Sequence, residues 1–299
     1  MPKDVLAALG REFAVIRKRP CVFFVTDPIE RPAVARVAAM LDRCGDAPAF
    51  DVIINSPGGD PHASYLVARE IGRRCKEVTV FVPFWAKSGA TLVSLVGREI
   101  VLGRLGELGP IDVQIMEGQQ GEFRRSRSCL ERFKALDQLR RDAFVTFDLM
   151  VRYTLGQEMT LLDACSVAAD FTGRLMAPLY SQLKPEKIAE SARNLELSEH
   201  YAHRILKRYR PDLDEGKREP IVSRLGREYP AHAVAIDLEE LQEVGLPARE
   251  PSAEEVGIML KLEDVFTALE GALTFLELCL PAAEVAETGT KEAEVRRIS

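Results

Sequence analysis

Two adjacent glycines, Gly58 and Gly59, follow Asn55-Ser56-Pro57, and about thirty residues later Ser88-Gly89 opens a run of small residues, Ala90-Thr91-Leu92. Both sites stand where an apolar run gives way to a helical pattern, the edge at which parallel strands open toward a ligand. A glycine lets a backbone N–H approach a bound oxygen closely, and a donor aimed at a developing oxyanion is worth about 2.7–4 kcal/mol in acyl transfer. Ser88 is placed either to cap its helix or to present a nucleophilic hydroxyl beside the helix's positive end. In the second case the Gly89 N–H and the Gly58–Gly59 turn would form an oxyanion hole. Taken alone, the glycine pair reads more readily as a tight βα turn. The hydrolase nucleophile elbow is excluded, because Ala86 and Ala90 stand where it requires glycine.

The elements that must position these residues follow from periodicity. Residues 21–103 alternate short apolar runs (CVFFVT, DVIINSP, VTVFVP, EIVLG) with helical stretches near Arg31–Arg43, His62–Arg74 and from Ser88. That rhythm predicts βαβ units of a parallel sheet. The helix after Asp60 gathers Ala63, Leu66, Val67 and Ile71 on one face and Arg69, Glu70, Arg73 and Arg74 on the other. Residues 117–128, EGQQGEFRRSRS, predict a polar loop. Leu130, Phe133, Leu136, Leu139, Ala143, Phe147 and Met150 then predict a long amphipathic helix, within a stretch 129–210 that is almost all helical. Ala233–Ile236 reads as a short strand, and Asp237 as the cap of a helix ending at Gly245. A last helix is expected around Val256–Leu278. The expected organisation is therefore an α/β core over 1–116, the polar loop 117–128, a helical region 129–228, a return of the core over 229–250, a C-terminal helix within 251–281 and a polar, disordered tail 282–299.

Composition narrows the classes of function. A chain of 299 residues buries a core without disulfides or metal. Forty basic against 46 acidic residues, a net charge of −6, provide no general field for nucleic acid or anionic membrane. Cys21, Cys44, Cys75, Cys129, Cys165 and Cys279 show no metal-ligand spacing and suit reduced thiols, which points to a cytoplasmic protein. The N-terminal segment lacks a signal peptide's apolar core, and the stretch Leu161–Tyr180 contains Asp163, Asp170 and Arg174, which suit a core helix better than a membrane span. His200 and His203 share a helix face with Glu196 and Glu199, but no third convergent group marks a metal site. No dinucleotide fingerprint or Walker loop is present, and no metal or cofactor is expected.

The combination of IINSPGGDPHASYLVAREI with the later AKSGATL helix resembles the ClpP/crotonase superfamily, and within it the serine dehydrogenase proteinase family, related to the signal peptide peptidase A type. GREIVLGRLGELGPIDVQI and YPAHAVAIDLEELQEVGL are similar to further segments of that family. The resemblance spans roughly residues 20–116 and 229–246. It implies a ClpP/crotonase-like parallel sheet carrying a long helical insertion, with Ser88 as nucleophile and the amides of Gly58 or Gly59 with Gly89 as oxyanion hole. Where ClpP carries its histidine this chain has Asp112, and near the place of ClpP's triad aspartate it has His232. The resemblance thus implies an exchanged triad in which His232 is the base and Asp112 orients it. Roles in a triad follow geometry and not chain order. The signal peptide peptidase A relatives imply instead a Ser–Lys dyad, for which Lys134 falls in the right window. Lys87 adjoins the serine, but its side chain is expected to leave in another direction.

The expected function is a cofactor-independent serine peptidase acting on peptides or unfolded protein. The resemblance also implies a homo-oligomer, and degradation of folded proteins would need a separate ATPase; a membrane partner is the other candidate. Two other readings stand beside it. One is a non-catalytic assembly or partner-binding module in which Ser88 is only a cap. The other is acyl-CoA chemistry at the same two amides, which would be indifferent to the Ser88 hydroxyl.

Overall fold

A computed structural model describes residues 2–19, 21–25, 29–44, 48–112, 114–117, 125–268 and 276–279. The chain divides into two compact units, one of residues 1–113 with 196–299 and the other of residues 114–195. The expected helical region 129–228 is therefore shared between units.

The first unit begins with α1 (Pro2–Arg17) and continues through β1 (Cys21–Val25), α2 (Arg31–Cys44), β2 (Ala49–Asn55), α3 (Pro61–Arg74), β3 (Glu77–Val82), the two-residue β4 (Trp85–Ala86), α4 (Gly89–Ser94), β5 (Glu99–Leu102) and β6 (Glu107–Leu108). β1, β2, β3 and β5 are neighbours in one parallel sheet, as the apolar runs predict. Their unbroken hydrophobicity has a direct cause, since both faces of the sheet are covered. Val52, Ile54, Val80, Val82, Ile100 and Leu102 pack on the side of α2, α3 and α4. The alternate residues Ile53, Phe81 and Val101 pack with Leu6, Leu9 and Phe13 of α1. Phe13 meets Phe81 edge to face at 4.8 Å, and burying such rings contributes about 1.5–3 kcal/mol each.

In the second unit, β7 (Gln114–Glu117) pairs antiparallel with β8 (Arg125–Ser128), and α5 (Cys129–Leu155) and α6 (Leu161–Tyr180) follow. The expected polar loop is thus partly a strand pair, because the alternation Arg125-Ser126-Arg127-Ser128 suits a strand with two polar faces; residues 118–124 lie outside the described residues. α7 (Pro185–Tyr209) begins in this unit, and its residues 196–209 belong to the first. Arg132 of α5 donates to Lys187 O and Ser191 Oγ of α7, each at 3.0 Å. Phe144, Tyr153, Leu162 and Phe171 are exposed along α5 and α6.

The first unit resumes with α8 (Glu215–Ser223), which runs into a π turn at Arg224–Glu228, then α9 (Leu238–Val244), β9 (Ala248–Arg249), α10 (Ala253–Ala268) and β10 (Leu276–Cys279). Asp237 caps α9 through the Glu240 N–H, and Gly245 ends it at φ 93°, both as expected. Two expectations are corrected. Ala233–Ile236 is not a strand: His232 and Ala233 lie in a turn, and Ile236 alone pairs, with Leu108. The last helix is described over Ala253–Ala268, and Leu276–Cys279, which the sequence places in it, forms instead an edge strand antiparallel to β1. Unpaired N–H and C=O groups along β1 provide the reason for that strand. β9, too short to show a period, extends the other edge beside β5. The tail 282–299 lies outside the described residues. No described helix is long and apolar enough to cross a membrane.

Candidate active site

Ser88 occupies the link between β4 and α4 with φ 50° and ψ −114°. A non-glycine residue held there costs on the order of 1–3 kcal/mol, and such strain is concentrated at functional sites. Its surroundings fix it. Lys87 N–H donates to Ser56 O at 3.0 Å, Ala90 N–H to Lys87 O at 2.8 Å and Leu92 N–H to Ser88 O at 3.0 Å. The buried Thr91 hydroxyl lies between the Ala86 and Gly109 carbonyls, at 2.7 and 2.8 Å. The Ser88 side chain makes no capping bond to α4, so the capping reading loses its hydrogen bond.

The glycine turn is pressed against this link. A Cβ on Gly58 would lie 2.3 Å from Lys87 O, 2.6 Å from Gly89 N and 2.9 Å from Ser88 Cβ, and the turn takes φ 95° at Gly58. Only glycine fits that approach. The Gly58 carbonyl accepts from Ile29 N–H at 2.5 Å, and Ile29 O accepts from Asp60 N–H at 2.9 Å. Gly58 N–H donates to Ser56 Oγ at 3.1 Å, whereas no hydrogen bond engages Gly59 N–H among the described residues. Gly89 sits opposite, and a Cβ there would lie 3.0 Å from Gly59 N and 2.3 Å from the buried Ser64 Oγ, which has no hydrogen-bond partner among the described residues. A Gly89→Ala substitution is therefore expected to cost about 1–3 kcal/mol in thermal unfolding, as overpacking does, and to slow any reaction at Ser88.

Asp112 connects the serine to the histidine. Its backbone carbonyl lies 3.5 Å from Ser88 Oγ, and its carboxylate Oδ1 lies 2.6 Å from His232 Nδ1. The Asp112 side chain is 1% exposed and that of His232 13%. Ile111 N–H donates to Leu225 O of the π turn at 2.9 Å, which anchors the segment bearing the carboxylate. The histidine segment is pinned at both ends. Before it, Tyr229 OH donates to Glu240 Oε1 at 2.9 Å; burial and that carboxylate push the phenol well above its ordinary pKa and keep it a donor. After it, Leu108 and Ile236 exchange N–H···O bonds of 3.0 Å.

Gly58, Gly59, Ser88, Gly89, Asp112 and His232 thus all lie in the first unit. Lys134 lies in the second, exposed on α5. His203 pairs with Glu219 at 3.1 Å. A separate cavity of about 390 Å³, lined by Leu102, Asp237, Glu250 and Met259 among others, contains none of the candidate residues. Sequence reasoning assigned no role to Lys87, although its buried ammonium reaches carbonyls of two of the segments described above.

Residues 23–124 match the family described as ClpP-like SDH-type serine proteinase. The match includes Gly58, Gly59, Ser88, Gly89 and Asp112 and stops well before His232. Two uncharacterized proteins of Methanocaldococcus jannaschii are each 37% identical over 66 residues, 22% of this chain and 23% of the relative. A Na(+)/H(+) antiporter NhaA of Brucella melitensis is 36% identical over 88 residues, 27% of this chain and 12% of that protein. The chain spans less than a quarter of the length of these relatives.

Proposed function

We propose that this chain, whose residues 23–124 match the ClpP-like SDH-type serine proteinases, hydrolyses peptide bonds through an acyl-enzyme at Ser88. The observation that carries the reading is the double role of Asp112, whose carbonyl faces Ser88 Oγ while its carboxylate holds His232. With Nδ1–H donated to the carboxylate, His232 keeps Nε2 as an acceptor for the serine proton. Ser88 Oγ then attacks the scissile carbonyl and His232 returns the proton to the leaving amine. The oxyanion that forms is met by the Gly89 N–H and an amide of the Gly58–Gly59 turn, with Gly59 N–H the one that carries no other bond. Water activated by the same imidazole releases the acyl group. No cofactor enters the cycle.

Lys134 fits the base role less well, because a lysine base must be desolvated and this one is exposed. The substrates are peptides or unfolded segments, with a separate ATPase required for folded proteins. The protein works as a homo-oligomer in the cytoplasm, and the exposed apolar side chains of α5 and α6 support the first part of that reading.

Incubation of the full chain with a fluorophosphonate probe, followed by peptide mass spectrometry, tests the proposal. The adduct is expected on Ser88, absent from Ser88→Ala and retained in Lys134→Ala. A folded chain that carries no adduct at Ser88 removes the peptidase reading and leaves the non-catalytic assembly module in its place.

A further inference from the structure

We propose that Lys87 is a positioning residue that fastens the His232 segment to the Ser88 link. The inference rests on the peptidase reading above and deepens it. The Lys87 ammonium donates to two main-chain carbonyls, Leu108 O at 3.0 Å and Val234 O at 3.2 Å, and pairs with the Glu107 carboxylate at 2.7 Å. Each belongs to a piece of chain that the site requires. Lys87 immediately precedes the nucleophile, Leu108 stands four residues before Asp112, and Val234 stands two residues after His232.

Lys87 is 8% exposed, and a charge so removed from water persists only when its donors are occupied. Its methylene stem crosses Gly109, where a Cβ would lie 2.6 Å from Lys87 Cδ. The glycine of the GPID segment is thus accounted for by the passage of this stem. With its ammonium committed to these acceptors, Lys87 is not the proton acceptor of a Ser–Lys dyad. Its contribution reaches the reaction through His232: with the ammonium gone, Val234 O loses its donor and the turn at His232 and Ala233 is held mainly by the Leu108–Ile236 pair and the Asp112 carboxylate.

The test uses the full chain with Lys87→Met, which keeps the apolar stem and removes the charge, and Glu107→Gln, which removes only the ion pair. Two quantities are followed. One is phosphonylation of Ser88 by the fluorophosphonate, with fluoride leaving, resolved into the maximal rate kinact and the half-saturating concentration KI. The other is the downfield proton resonance of the His232 Nδ1–H bonded to Asp112. Lys87→Met is expected to lower kinact on the order of 100-fold, the scale of a 1 Å misplacement, with KI unchanged and the resonance broadened well below the unfolding temperature. Glu107→Gln is expected to act in the same direction more weakly, and it carries the test if Lys87→Met does not fold. A folded Lys87→Met chain with wild-type kinact and an intact resonance overturns the inference. If the wild type itself never labels at Ser88, the peptidase reading fails separately, and the resonance still decides whether Lys87 holds the histidine.

Discussion

An Asp112→Asn chain is expected to fold with a wild-type unfolding midpoint and to lose about 10⁴-fold in kcat, the scale of the same exchange in a Ser–His–Asp triad. The size of the loss comes from the tautomer. The carboxylate accepts Nδ1–H at 2.6 Å and so leaves Nε2 free, whereas an amide that turns its NH₂ toward Nδ1 places the proton on Nε2, where it blocks transfer from Ser88. The backbone carbonyl near Ser88 Oγ is untouched by the change, so the serine's position is preserved. Hydrolysis of an unstructured peptide, measured beside thermal unfolding, separates a lost base from a lost fold. A loss below tenfold in a folded chain would mean that His232 is not the base Ser88 uses.

Glu255→Gln is expected to have the largest effect on stability. Glu255, 2% exposed at the start of α10, accepts from Arg17 at 2.7 Å, from Arg249 at 2.7 Å and from the Ser252 N–H at 2.7 Å, the last being one arm of a capping box. Removing its charge leaves Arg249 with Glu99 and Arg17 with Asp51. The expected cost is about 3 kcal/mol, at the lower end for removing one partner of a buried pair because these contacts survive. At about 2–4 °C per kcal/mol, the midpoint should fall by roughly 6–12 °C. The pH dependence has a definite sign. Burial alone would raise the Glu255 carboxyl, but the Arg249 guanidinium, the Ser252 N–H and Arg17 outweigh it and hold its pKa at about 2, below the ordinary 4.5. A depressed carboxyl stabilises the fold above its unfolded value and loses that contribution as pH falls toward the folded one. The stability difference between wild type and variant should therefore be full above pH 4.5 and shrink toward pH 2. A difference that does not change across that window would show that Glu255 acts by shape and not by charge.

The parallel sheet was legible because its strands are buried on both faces and read as continuous apolar runs. The Ser88 link and the Gly58–Gly59 turn were legible for a local reason, since small residues mark places where backbone comes close. Asp112 and His232 had no such mark. They meet across 120 residues, and no period or spacing predicts a contact at that separation, so their pairing was reached only through resemblance. Lys87 was passed over because the two groups that tie it to the site segments, Leu108 O and Val234 O, are main-chain carbonyls, which sequence does not distinguish. Residues 276–279 were read into a helix because nothing in an apolar run tells a strand at an open edge from a helix's last turn.

The pairing of Asp112 with a histidine 120 residues further on also orders events during synthesis. Ser88 and Asp112 leave the ribosome together, and their imidazole follows after roughly 6–24 s at 5–20 residues per second. On the proposed mechanism, a chain interrupted within the second unit would carry Ser88 without His232 and is expected to hydrolyse no peptide.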